Sequence, residues 1–270
     1  RITYPELFLS APDKDARIAA IAEATKAYRA DVLQAYPDAM IYVERAMKNG
    51  KKRCGIVGAF DLDAYSYAKD SQTPIRATEG TVLSRIPPRV QIRRDAAVET
   101  PHVMILCDDK EQKLFSAARK AKAAAPIYDF DLMLGGGHIK GHFLTEEEQD
   151  RVLHALDALV TPEAMAARYG DASLAPLLFA VGDGNHSLAT AKAAYEEIKA
   201  QIGQETAASH PARYALVEIV NLHDSALSFE PIYRVAFGVD PCDLLAAFER
   251  YVAALAGTAA PQRVDWSYGA

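Results

Sequence analysis

Hydrophobic positions follow two rhythms along this chain. Over residues 13–36, Ile18, Ile21, Ala22, Val32 and Leu33 recur among charges, a pattern that predicts an amphipathic helix. Residues 40–45 and 54–60 are short β-prone runs, and Asn49-Gly50 between them signals a hairpin with a loop of two residues or more. Residues 76–94 contain Pro87-Pro88 and keep no clean period, which predicts an ordered functional loop rather than a central strand. A strand at 103–107 and a helix at 111–125 come next. A second hairpin, 127–134 with 139–144, turns at Gly135-Gly136-Gly137-His138. Thr145 and Glu148 form a capping box that opens a helix to about residue 160, and Pro162 stands at the first position of another. Residues 176–181 read as a strand, 187–203 as a helix, and 214–221 and 228–237 as β-prone runs. Asp240 caps a last helix through 255. Hairpins are frequent and a strict strand–helix alternation is missing. The expected class is therefore α+β, mixed sheets with hairpins and flanking helices.

Composition narrows the functional classes. Of 270 residues, 50% are hydrophobic and 24% charged, and the formal net charge is −6. Such a chain builds a large core and is not disordered. The division falls at 1–145, an N-terminal α/β part, and 146–270, a C-terminal one, unless both make one domain. Mild acidity without a Lys/Arg block leaves no footprint for nucleic acid. Arg85, Arg89, Arg93 and Arg94 cluster locally and read as a solvated strand face, with a phosphate contact as the alternative. Cys54, Cys107 and Cys242 lie far apart without a CxxC pair, so neither a disulfide framework nor a zinc knuckle is expected. Cys107, inside an apolar run, reads as an inert core thiol. No apolar run is long enough for a transmembrane helix, so no membrane is expected. The start at Arg1 has neither an initiator Met nor a signal-peptide pattern, which makes a cytoplasmic protein the expectation, and both ends read as cut.

The densest chemistry lies at residues 182–187, where Gly182, Asp183, Gly184, Asn185, His186 and Ser187 join an apolar run to a helix-like one. A strand that ends in glycines and enters a helix leaves free backbone N–H groups at one point, at the positive end of the helix dipole. Glycine lets a ligand approach closely. Two readings stand on residue types alone. One is an anion site; the other is an ordinary helix start, capped by Asn185 or Ser187, in which Asp183 and Asn185 satisfy amides. The known dinucleotide and P-loop fingerprints are absent. Lys192 lies further along and reaches the loop only if the helix start is open. His138 and His142 are four apart but on a strand or turn, where a zinc pair is the lesser reading.

The stretches "FAVGDGNHSLATAK", "IRATEGTVLSRIPPRVQIR", "IYVER" and "HPARYALVEIVNLHD" resemble the bacterial family catalogued as domain of unknown function 1015, over nearly the whole chain. The strand, Asp-Gly-x-His and helix are also similar to the "DGHHR" element of archaeal free-serine kinases, of the ParB/sulfiredoxin-like superfamily. That resemblance implies a ParB/sulfiredoxin-like core around the strand–GDGNH–helix element. It implies that Asp183 and Glu79 are catalytic acids, with His186 beside them, and that Gly182, Gly184, Asn185 and Ser187 hold nucleotide phosphates. Ser187 stands where the kinases have Arg, so Arg76, Arg85 or Arg89 must supply a cation. The implied function is a phosphotransferase using Mg²⁺ and ATP or ADP on a small hydroxy amino acid such as serine, with Mg²⁺ on Asp183 or Glu79. The alternatives are a nucleotide- or metabolite-binding regulatory module without turnover, and a phosphohydrolase. No oligomeric state follows from the sequence.

Further candidates are weighed against plain structural roles. Thr78, Glu79 and Thr81 occupy an Arg-flanked loop that reads as functional, with a tight turn as the alternative. Asn221 and His223 share one strand face and are candidates for substrate contact or for structural hydrogen bonds. Asp108-Asp109 reads as a turn before a metal site. His102 and His154 read as packed or exposed, and Glu146-Glu147-Glu148 as a solvated first helical turn.

Overall fold

The short apolar runs gather into one mixed sheet. A computed structural model describes residues 1–94, 96–99, 103–228 and 235–256. Among these the strands are β1 (Ile41–Ala46), β2 (Lys52–Asp61), β3 (Tyr65–Ser66), β4 (Ile75–Arg76), β5 (Val103–Cys107), β6 (Tyr128–Asp131), β7 (His138–Phe143), β8 (Phe179–Asp183) and β9 (Tyr214–Asn221). Their order across the sheet is β3-β4-β8-β5-β9-β2-β1-β7-β6. The helices are α1 (Lys14–Asp31), α2 (Ile86–Arg94), α3 (Lys113–Ala118), α4 (Glu146–Leu159), α5 (Pro162–Tyr169), α6 (Asn185–Ile202), α7 (Gln204–Ala207) and α8 (Pro241–Ala256). The class is α+β. Both expected hairpins form, β1 with β2 and β6 with β7, each antiparallel. Strands β5 and β9 run parallel, as do β4 and β8.

By compactness the chain divides into Arg1–Ser228 and Phe229–Ala270. The sheet lies in the first unit and draws strands from both sides of residue 145, since β9 sits between β5 and β2. Its core holds Tyr42, Ile56, Ile105, Val181 and Val217, with Leu188, Ala191 and Tyr195 of α6 packed on it. A satellite cluster joins Ile86 and Val90 of α2 to Ala189 and Ala194 of α6. In the second unit, Asp240 Oδ1 accepts from the amides of Cys242 and Asp243 and so caps α8. The β-prone run at 228–237 falls mostly outside the described residues, as does His102.

Several local expectations need correction. Residues 76–94 are not one loop: a 3₁₀ turn, Leu83–Arg85, leads into α2, with Pro87 and Pro88 in the first turn, where a missing N–H costs nothing. Arg85, Arg89 and Arg93, spaced by four, therefore lie along a helical turn and not on a strand face. The helix expected at 111–125 is shorter, α3 passing into a 3₁₀ turn at Arg119–Ala123. The Thr145–Glu148 capping box forms, but Glu148 is buried and only Glu146 and Glu147 meet solvent. His154 is exposed. Cys107 is buried, and burial pushes its thiol pKa up, as an inert thiol requires.

Candidate functional site

The junction of β8 and α6 begins with a defect in the ladder. Ile105 pairs with Val181 and Met104 with Asp183, so Gly182 is left opposite no residue, a β-bulge. A Cβ at Gly182 would lie 3.0 Å from Leu106 Cγ. Gly184 follows with φ +94°, a conformation that side-chain-bearing residues resist, and it packs against Val103. Gly184 is the N-cap of α6, and no side chain caps the helix. The helix therefore starts two residues before the expected position, and neither Asn185 nor Ser187 caps it. The first intrahelical bond runs from Leu188 N–H to Gly184 C=O at 2.9 Å. The amides of Asn185, His186 and Ser187 precede it and are left over, as at every helix start.

Asn185 is 3% exposed and reaches across to the 78–82 loop. Its Oδ1 accepts from Thr78 N–H at 3.2 Å; its Nδ2 donates to Thr78 Oγ1 and to Glu79 Oε1, each at 3.2 Å. The Thr78 hydroxyl donates onward to Val181 C=O at 2.6 Å. His186 Nε2 accepts from Val82 N–H at 3.3 Å, which places the ring hydrogen on Nδ1. Thr81 Oγ1 is buried nearby in sequence without a partner among the described residues. Five of the expected residues, Thr78, Glu79, Asp183, Asn185 and His186, are thus brought to one helix start. The carboxylates of Asp183 and Glu79 both remain exposed there.

Other expected residues are committed elsewhere. Arg76 donates to the carbonyls of Thr73, Ala175 and Pro176. Arg89 pairs with Glu6, and Lys192 with Glu196 at 2.8 Å and Asp63 at 3.5 Å. Arg85 is exposed, with no ion pair among the described residues. Asn221 and His223 belong to the opposite end of the sheet. Asn221 aligns with Cys107 and Asp183 with Met104, three residues or about 10 Å away along β5. Asn221 Nδ2 donates to Asp109 C=O at 2.8 Å, a structural bond. His223 Nε2 lies 2.7 Å from Asp108 Oδ1, and Tyr169 donates to Asp108 Oδ2 at 3.1 Å. Burial alone would raise the Asp108 pKa; His223, Tyr169 and Arg168 outweigh it and hold the carboxyl below its usual range. Asp109 accepts from the amides of Lys113 and Leu114, so it starts α3 rather than binding a metal. His138 and His142 share a face of β7, but both nitrogens of His138 face Asp131 and Asp129, and Nδ1 of His142 faces Ala124 C=O. Among the described residues no three His, Cys, Asp or Glu side chains converge as a metal cage. No helix among them is long and apolar enough to cross a membrane.

The role of Asn185 as a tie to Thr78 and Glu79 was not foreseen. Its only local signal was a carboxamide directly after a glycine at the end of a strand. A family model described as a protein of unknown function (DUF1015) matches residues 1–265. No curated protein and no solved structure matches the chain.

Proposed function

Because the chain belongs to the DUF1015 family, whose description assigns no chemistry, we propose a function from its own residues: phosphoryl transfer from ATP or ADP to a small hydroxy amino acid such as serine. The observation that carries this reading is the tie between Asn185 and the 78–82 loop, which sets the Glu79 carboxylate beside the start of α6, two residues from Asp183. Phosphoryl transfer asks for little covalent chemistry and much positioning. The acceptor hydroxyl oxygen forms the new bond to the terminal phosphorus. The bridging oxygen bond breaks, and the nucleotide leaves one phosphate shorter. The hydroxyl proton goes to a carboxylate, Glu79 or Asp183. Free amides at Asn185, His186 and Ser187 suit phosphate oxygens, and Gly182 and Gly184 leave them accessible. The exposed oxygens of Asp183 and Glu79 fit Mg²⁺, a hard cation that would neutralise phosphate charge. The similarity to the ParB/sulfiredoxin-like kinases is part of this proposal.

One observation favours a second reading, a nucleotide-binding regulatory module without turnover. Most cations near the junction in sequence are spent, Arg76 on carbonyls, Arg89 on Glu6 and Lys192 on Glu196, which leaves Arg85 alone without an ion pair among the described residues. Incubation with Mg²⁺, ATP or ADP and a panel of hydroxy amino acids, followed by phosphorus NMR, separates the two. We expect a phosphomonoester product, and Asp183→Asn and Glu79→Gln each slow its formation about a hundredfold or more. Transfer at an unchanged rate in Asp183→Asn removes Asp183 from the mechanism. Nucleotide binding with no transfer to any acceptor selects the regulatory reading, and release of phosphate to water alone selects a hydrolase.

A further inference from the structure

A cavity of about 460 Å³ opens on the face of β1, β2 and β7. It lies four strands from β8, roughly 19 Å at ordinary strand spacing. Glu44, Lys52, Lys122, His138, Lys140 and His142 supply its polar wall. The register puts them there: Tyr42 pairs with His142, Glu44 with Lys140, Ala46 with His138 and with Lys52. Alternation then turns residues 138, 140 and 142 to one face. Lys122 arrives from the 3₁₀ turn Arg119–Ala123.

Glu44 is 7% exposed and accepts from Lys122 at 2.9 Å, from Tyr42 at 3.2 Å and from Lys52 at 3.4 Å. Lys140 pairs with Asp129 at 2.6 Å, and Asp129 and Asp131 also hold His138. Each lysine ammonium carries three hydrogens, so these bonds leave donors over. Lys52 and Lys122 share the single carboxylate of Glu44, while Lys140 and His138 lean on the neighbouring Asp129 and Asp131. His142 is 4% exposed, with Nδ1 2.9 Å from Ala124 C=O. A carbonyl only accepts, so the hydrogen sits on Nδ1, and Nε2 of the neutral ring is an acceptor. That Nε2 is buried and has no partner among the described residues. Buried polar atoms seldom go unmatched.

We propose that this cavity binds a small oxyanion that also carries an O–H group. Its charged oxygens take hydrogens from Lys52, Lys122 and Lys140, and its O–H donates to His142 Nε2. Neither feature depends on the α6 junction. Inorganic phosphate has both properties near neutral pH, whereas sulfate has the charge and shape without the O–H. Titrating each into the protein, followed on the histidine ring resonances, tests the idea. The expected result is perturbation of His142 and phosphate bound about tenfold more tightly than sulfate, one hydrogen bond's worth. Lys122→Gln weakens both anions severalfold, and His142→Phe erases the preference for phosphate. Perturbation confined to His186 would report the α6 junction instead and overturn this proposal while sparing the other. Equal affinity for the two anions, or no response at His142, overturns it too, and both readouts use the unmodified protein if His142→Phe does not fold.

Discussion

Asn185 spends its side chain on another segment, although residues of its type usually cap their own helix. Its three bonds to Thr78 and Glu79 replace water for a carboxamide that is 3% exposed. Removing it in Asn185→Ala leaves Thr78 N–H and Glu79 to find new partners. The expected cost is about 1–3 kcal/mol by denaturant unfolding, with faster amide exchange at Thr78 and Val82. Unchanged exchange at both amides would mean that the loop holds itself. His138 offers a second test at this scale. Hydrogen bonds first to Asp131 and then to Asp129 raise its pKa above 6.5. A raised value in the folded state means its contribution to stability is full below the unfolded value and fades as pH rises through the folded one. An NMR titration should place its midpoint above 6.5 and lower it in Asp131→Asn. The residues at 182–187 stood out because glycines and small polar groups gather where a strand must turn into a helix, which marks the junction without assigning it chemistry. Which partner each would take was not legible, since Thr78 and Asn185 are 107 positions apart and only the sheet brings them together.

The elements recovered best are those with local signals. The capping box at Thr145, the proline at position 162 and the hairpin glycines each fix a boundary through their own backbone chemistry. Residues 76–94 were misread because two prolines masked the spacing of Arg85, Arg89 and Arg93, which is helical. The pairing of β2 with β9 hides another dependence. Arg53 Nη2 donates to both carboxylate oxygens of Glu218, at 2.8 and 3.0 Å, with side chains 13% and 5% exposed. The Glu218 side chain lies over Gly55, where an added Cβ would come within 2.3 Å of Glu218 Oε1. Gly55→Ala should therefore displace the carboxylate from Arg53. Arg53→Met, which removes one charged partner of a buried carboxylate, should cost about 1–3 kcal/mol of unfolding free energy. A loss below 1 kcal/mol in Arg53→Met would say the carboxylate finds equal company elsewhere.

For the whole molecule, α+β class was readable from the mixture of periods, whereas strand order was not. Adjacent strands such as β5 and β9 are far apart in sequence, and no local pattern encodes which runs will pair. That order carries a prediction about dissection. Residues 1–145 lack β8 and β9, so β5 would lose both neighbours and β2 one. We expect that fragment to give a poorly dispersed NMR spectrum, and residues 1–228, which hold all nine described strands, to give a dispersed one. A well-dispersed spectrum from 1–145 would show that the first seven strands pair without the last two.

The bulge at Gly182 has a further consequence. In an unbroken strand every second side chain faces the same way, so Asp183 would follow Phe179 and Val181 toward the apolar side. One surplus residue resets that count, and the carboxylate emerges into water. Strand length here acts as a parity bit. Deleting Gly182 alone would leave Asp183 opposite Met104 and still facing outward in a now regular strand; what would bury the acid is a register that pairs Gly182 itself with Met104 and counts it as an ordinary strand residue.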